Sequence, residues 1–349
     1  MKQRKISRAK VLRRVLIATT VGIGVVLAIG VGVIRFATDV DPWPIFQAID
    51  SGWLCAAVAL FVFANLLVGH RFIAIAPAEH TAGMTGFRVG SLFFAGSVFS
   101  LMLPGPVGEI AAVAALRKRH GIPMSVAFAA SVHARFVGLA SAALLALCAF
   151  PFVSVGGTVG QVVAGGGAML VAIGLGLGGI SMRPTWMAML GRRVASTGWL
   201  GKVGGSLRLF AEALASVGQA PWHVWLRVFG WSALIQLIQV ASLLALCAAL
   251  NFDVALPGLM LAQGTGSLAI LVGMFLPGGL GTFELAVIGS VVGAGGLSVA
   301  DGGTFAVATR VVHLLALSVS GVMFAAWAHV FLADDVMDEL DESGSEETA

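Results

Sequence analysis

Leu103-Pro104-Gly105-Pro106-Val107-Gly108-Glu109 interrupts an apolar stretch that carries no charge between Arg88 and Glu109. Proline removes a backbone donor and glycine frees the backbone, so a helix does not run smoothly through these residues. The apolar residues 89–103 that precede the break make a helix only about 22 Å long, short of the ~30 Å hydrocarbon core of a bilayer. Positive charge flanks the segment on both sides, Arg88 before it and Arg117-Lys118-Arg119 after it, so both ends are expected to be cytoplasmic. The pattern predicts a re-entrant hairpin, two half-helices meeting at a break inside the membrane. Irregular backbone at that depth is tolerated only where it is buried in protein or lines a wet cavity.

The pattern returns at Leu276-Pro277-Gly278-Gly279-Leu280-Gly281-Thr282-Phe283-Glu284, inside residues 255–300. Here the flanking charges are Asp253 and Asp301, and both ends are expected outside. Two broken hairpins entering from opposite faces imply a pseudo-two-fold axis in the membrane plane, an inverted pseudo-repeat. The spacing after each break agrees: Glu109 to Arg135 is 26 residues, and Glu284 to Arg310 is again 26. A histidine accompanies each arginine, His133 and His313. The breaks themselves differ in length, Pro104 to Glu109 against the longer Pro277 to Glu284.

Outward from these breaks the whole chain reads as membrane. Hydrophobic residues make up 58% of the 349, charged residues 11%, and the mean hydropathy is +0.97. A soluble domain carries about 25% charged residues. That excludes a soluble enzyme, a secreted disulfide scaffold and a DNA-binding protein. Apolar runs at 15–34, Trp53 to Ile75, 122–150, 160–181, 228–250 and 304–331 predict the spans of an all-α polytopic bundle. The 46 glycines suit close helix packing.

The expected organisation is a basic cytoplasmic N-terminus (1–14), a single transmembrane domain (15–331) and an acidic, disordered cytoplasmic tail (332–349). The repeat halves cover about 88–150 and 255–331. Residues 182–227, with Trp186, Trp199, Trp222 and Trp225 among their arginines, read either as helices in the cytoplasmic interface or as a solvated loop with an aromatic belt. With the N-terminus inside, 18 of the 21 basic residues fall on the cytoplasmic side or its edge, Arg35 lies outside, and Arg135 and Arg310 remain within apolar spans. Asp39, Asp41, Asp50, Asp253 and Asp301 fall in the outer loops. Cys55, Cys148 and Cys247 have no metal-site spacing and are expected to pack. Gly174-Leu175-Gly176-Leu177-Gly178-Gly179 matches a nucleotide-binding pattern in letters, but no strand precedes it, so it reads as a packing surface.

A charge at the bilayer centre costs about 2.5–3.5 kcal/mol on insertion scales. Glu109, Arg135, Glu284 and Arg310 are therefore expected to be paired or hydrated, lining a polar chamber at mid-membrane. Pro104, Gly105, Gly108, Pro277, Gly278, Gly279 and Gly281 open the backbone there, and half-helix N-termini aim free N–H groups into the chamber, a natural seat for phosphate. Arginine adds bidentate recognition of the same group. The opposing reading is purely structural: each glutamate caps the helix after its break, and each arginine only pairs with it. Asn65, Gln236, Gln239 and Gln263 are the other polar residues in apolar spans; Gln236 and Gln239 share a helix face at i and i+3, and these residues read either as lining the same chamber or, the preferred reading, as hydrogen-bonding between helices. His70, His80, His120, His223 and His329 fall near expected cytoplasmic interfaces, and no motif calls for a metal or other cofactor.

The two broken motifs, with Arg135, Arg310 and Gly321, resemble the lysylphosphatidylglycerol synthase transmembrane family, the membrane part of bacterial multiple peptide resistance factors. The resemblance extends from about the first span to residue 331 and implies a flippase-type domain that moves lipid across the bilayer. Only residues 332–349 follow the last span, so the soluble aminoacyl-transferase domain, and with it an enzymatic activity, is not expected. The expected function is translocation of a phospholipid or lipid-linked envelope precursor through the chamber, in the bacterial inner membrane, with both termini cytoplasmic. A secondary transporter of a small anion or amine is one alternative, and a non-transporting subunit of an envelope glycosyltransferase system is another. The expected partner is a membrane lipid or lipid-linked headgroup, then a second copy of the chain or an envelope-biosynthesis enzyme, and no nucleic acid.

Overall fold

The computed structural model describes residues 49–98, 107–152, 216–272 and 281–331, together with residues 47, 167–169, 171–176, 179 and 213–214. The tips of both breaks, 99–106 and 273–280, lie outside the described residues, as do the expected first span and the acidic tail. Among the described residues the structure is helical, with no strand. The helices are α1 (Ser51–Leu66), α2 (Val68–Ile75), α3 (Ala78–Thr81), α4 (Gly86–Gly96), α5 (Val107–His120) and α6 (Met124–Ala149), then α7 (Trp222–Leu250), α8 (Leu256–Val272), α9 (Thr282–Gly293) and α10 (Val299–Phe331).

Four stretches are long and apolar enough to cross a membrane: Ser51–Ile75, Met124–Phe152, Trp222–Leu250 and Val299–Trp327. Their outward faces carry bare apolar side chains, such as Leu144 and Leu147 on α6, Leu237 on α7 and Val322 on α10. A helix apolar all round belongs in a protein core or in lipid. These are the helices of a multi-pass membrane protein. The third span starts at Trp222, six residues before the expected 228, because Pro221 precedes its first turn, where a missing N–H costs nothing. Trp222 and Trp225 therefore belong to the span, and Trp225 Nε1 donates to the Ala220 carbonyl at 3.0 Å.

Small residues set the crossings. Gly69 of α2 meets the backbone of Gly86 and Gly90 of α4, and Gly90 faces the Leu66 carbonyl. Gly264 of α8 lies on Ala142 and Ala146 of α6. Backbone approach of this kind needs residues without a side chain in the way. Gly174, from the glycine pattern, packs against Ala143 and Leu268, which is the packing role. Of the three cysteines only Cys247 is buried; Cys55 and Cys148 lie on exposed helix faces.

Two acids expected in outer loops have a second use. Asp50 Oδ1 accepts from the Gly52 and Trp53 N–H groups and caps α1. Ser298 and Asp301 exchange hydrogen bonds at the start of α10, where Asp301 N–H donates to Ser298 Oγ and that hydroxyl donates to the Asp301 carboxylate.

Two pairs of short helices run antiparallel. In the first, Gly96 near the end of α4 meets Gly108 and Ala112 at the start of α5. In the second, Thr282 Oγ1 of α9 donates to the Ala269 carbonyl of α8, Thr265 and Ser290 hydroxyls meet at 3.0 Å, and Ala255 N–H donates to the Gly295 carbonyl. The chain thus enters and leaves α8–α9 at the same end. With 12 residues, α9 is about 18 Å long, well short of a ~30 Å core. Each hairpin is followed by a long helix carrying an arginine, α6 after the first and α10 after the second.

Candidate functional site

Glu109 stands in the first turn of α5 and Glu284 in the first turn of α9. Arg135 is the twelfth residue of α6 and Arg310 the twelfth of α10. Antiparallel helices joined by a short loop bring residues equidistant from that loop to the same level. Glu109 lies eleven residues before the end of α5 at His120, and Arg135 lies eleven after the start of α6 at Met124. That symmetry gives the interval of 26 a physical meaning. The carboxylate and guanidinium meet, Arg135 Nη1 to Glu109 Oε1 at 3.0 Å, and Arg310 Nε meets Glu284 Oε1 at 2.6 Å.

The two pairs differ in their surroundings. Glu284 Oε2 also accepts from the Gly281 N–H at 2.8 Å, the glutamate's half of a capping box at the start of α9. Gly281 has φ of +85°, which a side chain resists. Arg310 lies over the Phe283 ring at 4.6 Å, and only 11% of its side chain is exposed. This is the geometry of a cap with its counter-ion. In the first half, by contrast, the Arg135 side chain is 45% exposed and Glu109 24%.

The accompanying histidines part company. His133, two residues before Arg135, points about 200° away around the helix at 100° per residue. It is fully buried, its Nε2 is 2.9 Å from the Leu214 carbonyl, and its ring stands edge-on to Trp225. His313, three residues after Arg310, shares that arginine's face and sits between Phe61 and Phe283. Of the expected glycines and prolines, Gly108 packs its carbonyl beneath Gly96 and Gly281 caps α9. Pro104, Gly105, Pro277, Gly278 and Gly279 lie outside the described residues.

A third arginine belongs with the intramembrane charges. Arg71 sits on α2 and was assigned by charge distribution to the cytoplasmic edge, yet its side chain runs to α6, where Nη1 lies against Gly138. Gly138 is the fifteenth of the 26 residues of α6, so the guanidinium reaches mid-helix. Gly138 lies one turn beyond Arg135 on α6, so the Arg71 guanidinium approaches the Glu109–Arg135 pair. Its Nε is buried with no hydrogen-bond partner among the described residues. The available signal was local: Phe72-Ile73-Ala74-Ile75 places another apolar turn between Arg71 and the loop. The neighbouring His70 stacks on Trp231 at 4.6 Å.

The glutamines hydrogen-bond between helices, as their spacing indicated. Gln263 Nε2 of α8 reaches Gln239 Oε1 at 2.7 Å and Gln236 Oε1 at 2.9 Å on α7, and Ser267 Oγ at 3.0 Å. Two amide hydrogens cannot serve three acceptors at once, so this network has one acceptor to spare. Gln236 Nε2 in turn reaches the Gly138 carbonyl at 3.5 Å, the long limit for such a bond. Among the described residues, Asn65 bonds within its own helix, to the Phe61 carbonyl at 2.8 Å.

None of the curated proteins matches the chain. The family model described as the lysylphosphatidylglycerol synthase TM region matches residues 16–321, which takes in both hairpins, both ion pairs and Arg71. The chain therefore belongs to the lysylphosphatidylglycerol synthase TM region family.

Proposed function

We propose that this protein is a lipid translocase of the bacterial inner membrane, passing the headgroup of a phospholipid or lipid-linked envelope precursor along a polar path while the chains stay in the bilayer. The observation that carries the reading is the Glu109–Arg135 pair, which sits among apolar helices with nearly half of the arginine side chain uncovered. Charge held at such a place faces a cavity, water or a polar headgroup, and marks a substrate path. Support comes also from the second hairpin, where α8 begins beside the end of α9 and α9 is too short to span, as expected of an element that dips into the membrane and returns. Membership of the family fits the same reading. The charge distribution supports a cytoplasmic side for both termini.

The test is headgroup exposure in proteoliposomes, read as the fraction of fluorescent lipid accessible to a membrane-impermeant quencher. Wild-type protein is expected to expose inner-leaflet lipid, and folded Arg135→Gln to slow this about tenfold, the loss of one charge-assisted contact. An unchanged rate in that variant overturns the reading.

A further inference from the structure

Arg71, seated against Gly138, and the Glu109–Arg135 pair one turn before it on α6 do not balance in charge. Arg71 and Arg135 against Glu109 leave one positive charge, whereas Glu284 and Arg310 sum to zero. Glu109 is committed to Arg135 at 3.0 Å, and the Arg71 Nε lacks any hydrogen-bond partner among the described residues. A guanidinium left in that condition within apolar helices is expensive unless an anion completes it. Gly138 leaves the space beside it: a methyl group there would collide with Arg71 Nη1.

We propose that Arg71 and Arg135 form a binding site for one singly charged oxyanion of the phosphate class, with Glu109 as its resident counter-ion. A phosphodiester supplies one negative charge and two unshared oxygens, which suits two guanidinium groups and brings the cluster to neutrality. On binding, Arg135 exchanges part of its contact with Glu109 for the oxyanion, and the Arg71 Nε gains the partner it lacks among the described residues. The second half, already neutral and capped, takes no anion. The site is the binding step of the translocation proposed above, but it can be measured without transport. Its occupant is either a lipid headgroup or a free phosphate.

The experiment follows thermal unfolding of the full chain in uncharged detergent while dihexanoyl phosphatidylglycerol, inorganic phosphate or dihexanoylglycerol is added. The phosphatidylglycerol is expected to raise the midpoint, and dihexanoylglycerol to leave it unchanged. Arg71→Gln and Gly138→Ala are expected to raise the half-saturating concentration at least about tenfold, with Arg71→Lys between them and wild type. Glu109→Gln is expected to lower it about tenfold, a change of opposite sign that a merely structural role does not produce. Arg88→Gln, on the exposed start of α4, controls for general surface charge. Stabilisation by phosphate as strong as by the lipid, lost in Arg71→Gln, supports the site with a free anion as occupant. Stabilisation by the lipid alone supports it with the headgroup. Unchanged binding in both Arg71→Gln and Gly138→Ala, or weaker binding in Glu109→Gln, overturns it. If wild type moves lipid while these variants bind normally, the site fails and the translocase reading stands. If they lose binding while wild type moves no lipid, the reverse holds.

Discussion

The two glutamate–arginine pairs share their residue types and their separation in sequence, but they are built for different work. Glu284–Arg310 is closed: both of its carboxylate oxygens are used, one by the guanidinium and one by the Gly281 N–H, and Phe283 covers the arginine. Glu109–Arg135 is open, and one turn beyond it on α6 Gly138 receives a second arginine, Arg71, and meets the hydrogen-bonded glutamine cluster through Gln236. Equal spacing along a duplicated pattern therefore fixes which residues pair. It does not fix what the pair faces, because that depends on side chains delivered by other helices. The second half is a closed clasp, and the first is the half to which the proposed anion site belongs.

The contrast breaks most visibly at Arg310. Arg310→Leu leaves the Glu284 carboxylate buried without its counter-ion, an expected loss of about 3–5 kcal/mol. Denaturant titration in mixed micelles reads this, and wild-type stability in that variant would erase the distinction. Next comes Gly281→Ala, which forces a side chain into positive φ beside the cap and is expected to cost about 1–3 kcal/mol in the same titration. Ser298→Ala removes the cap of α10, where α6 begins after Pro123 with no side-chain cap bond, and should cost about 1 kcal/mol. The smallest stability change is expected for Arg135→Gln, at or below about 1 kcal/mol, since the exposure of that side chain screens the pair. A larger loss at Arg135 than at Arg310 would reverse the assignment of closed and open pairs.

Much of this was legible before any coordinates. Hydropathy located the described spans, and the glutamates placed 26 residues before arginines turned out to be their partners. The capping role of Glu284 was also legible, as the structural alternative for a glutamate following a Pro-Gly break. His133 misled because closeness in sequence is not closeness in space: two helical residues face opposite sides. Arg71 misled for a related reason. Charge distribution assigns a residue by where its Cα falls, but an arginine side chain is long enough to deliver its charge a full turn or more away.

Composition, the two broken motifs and their equal intervals determined by themselves that this chain is a membrane helix bundle carrying ion pairs inside it, since spans and antiparallel pairing depend only on local pattern and loop length. The asymmetry between the pairs was decided only by tertiary structure. A glycine on α6 makes room for a guanidinium from α2, and a phenylalanine on α9 covers one from α10. Such contacts join side chains on different helices, one pair consecutive and the other well separated in the chain, and no local pattern encodes them.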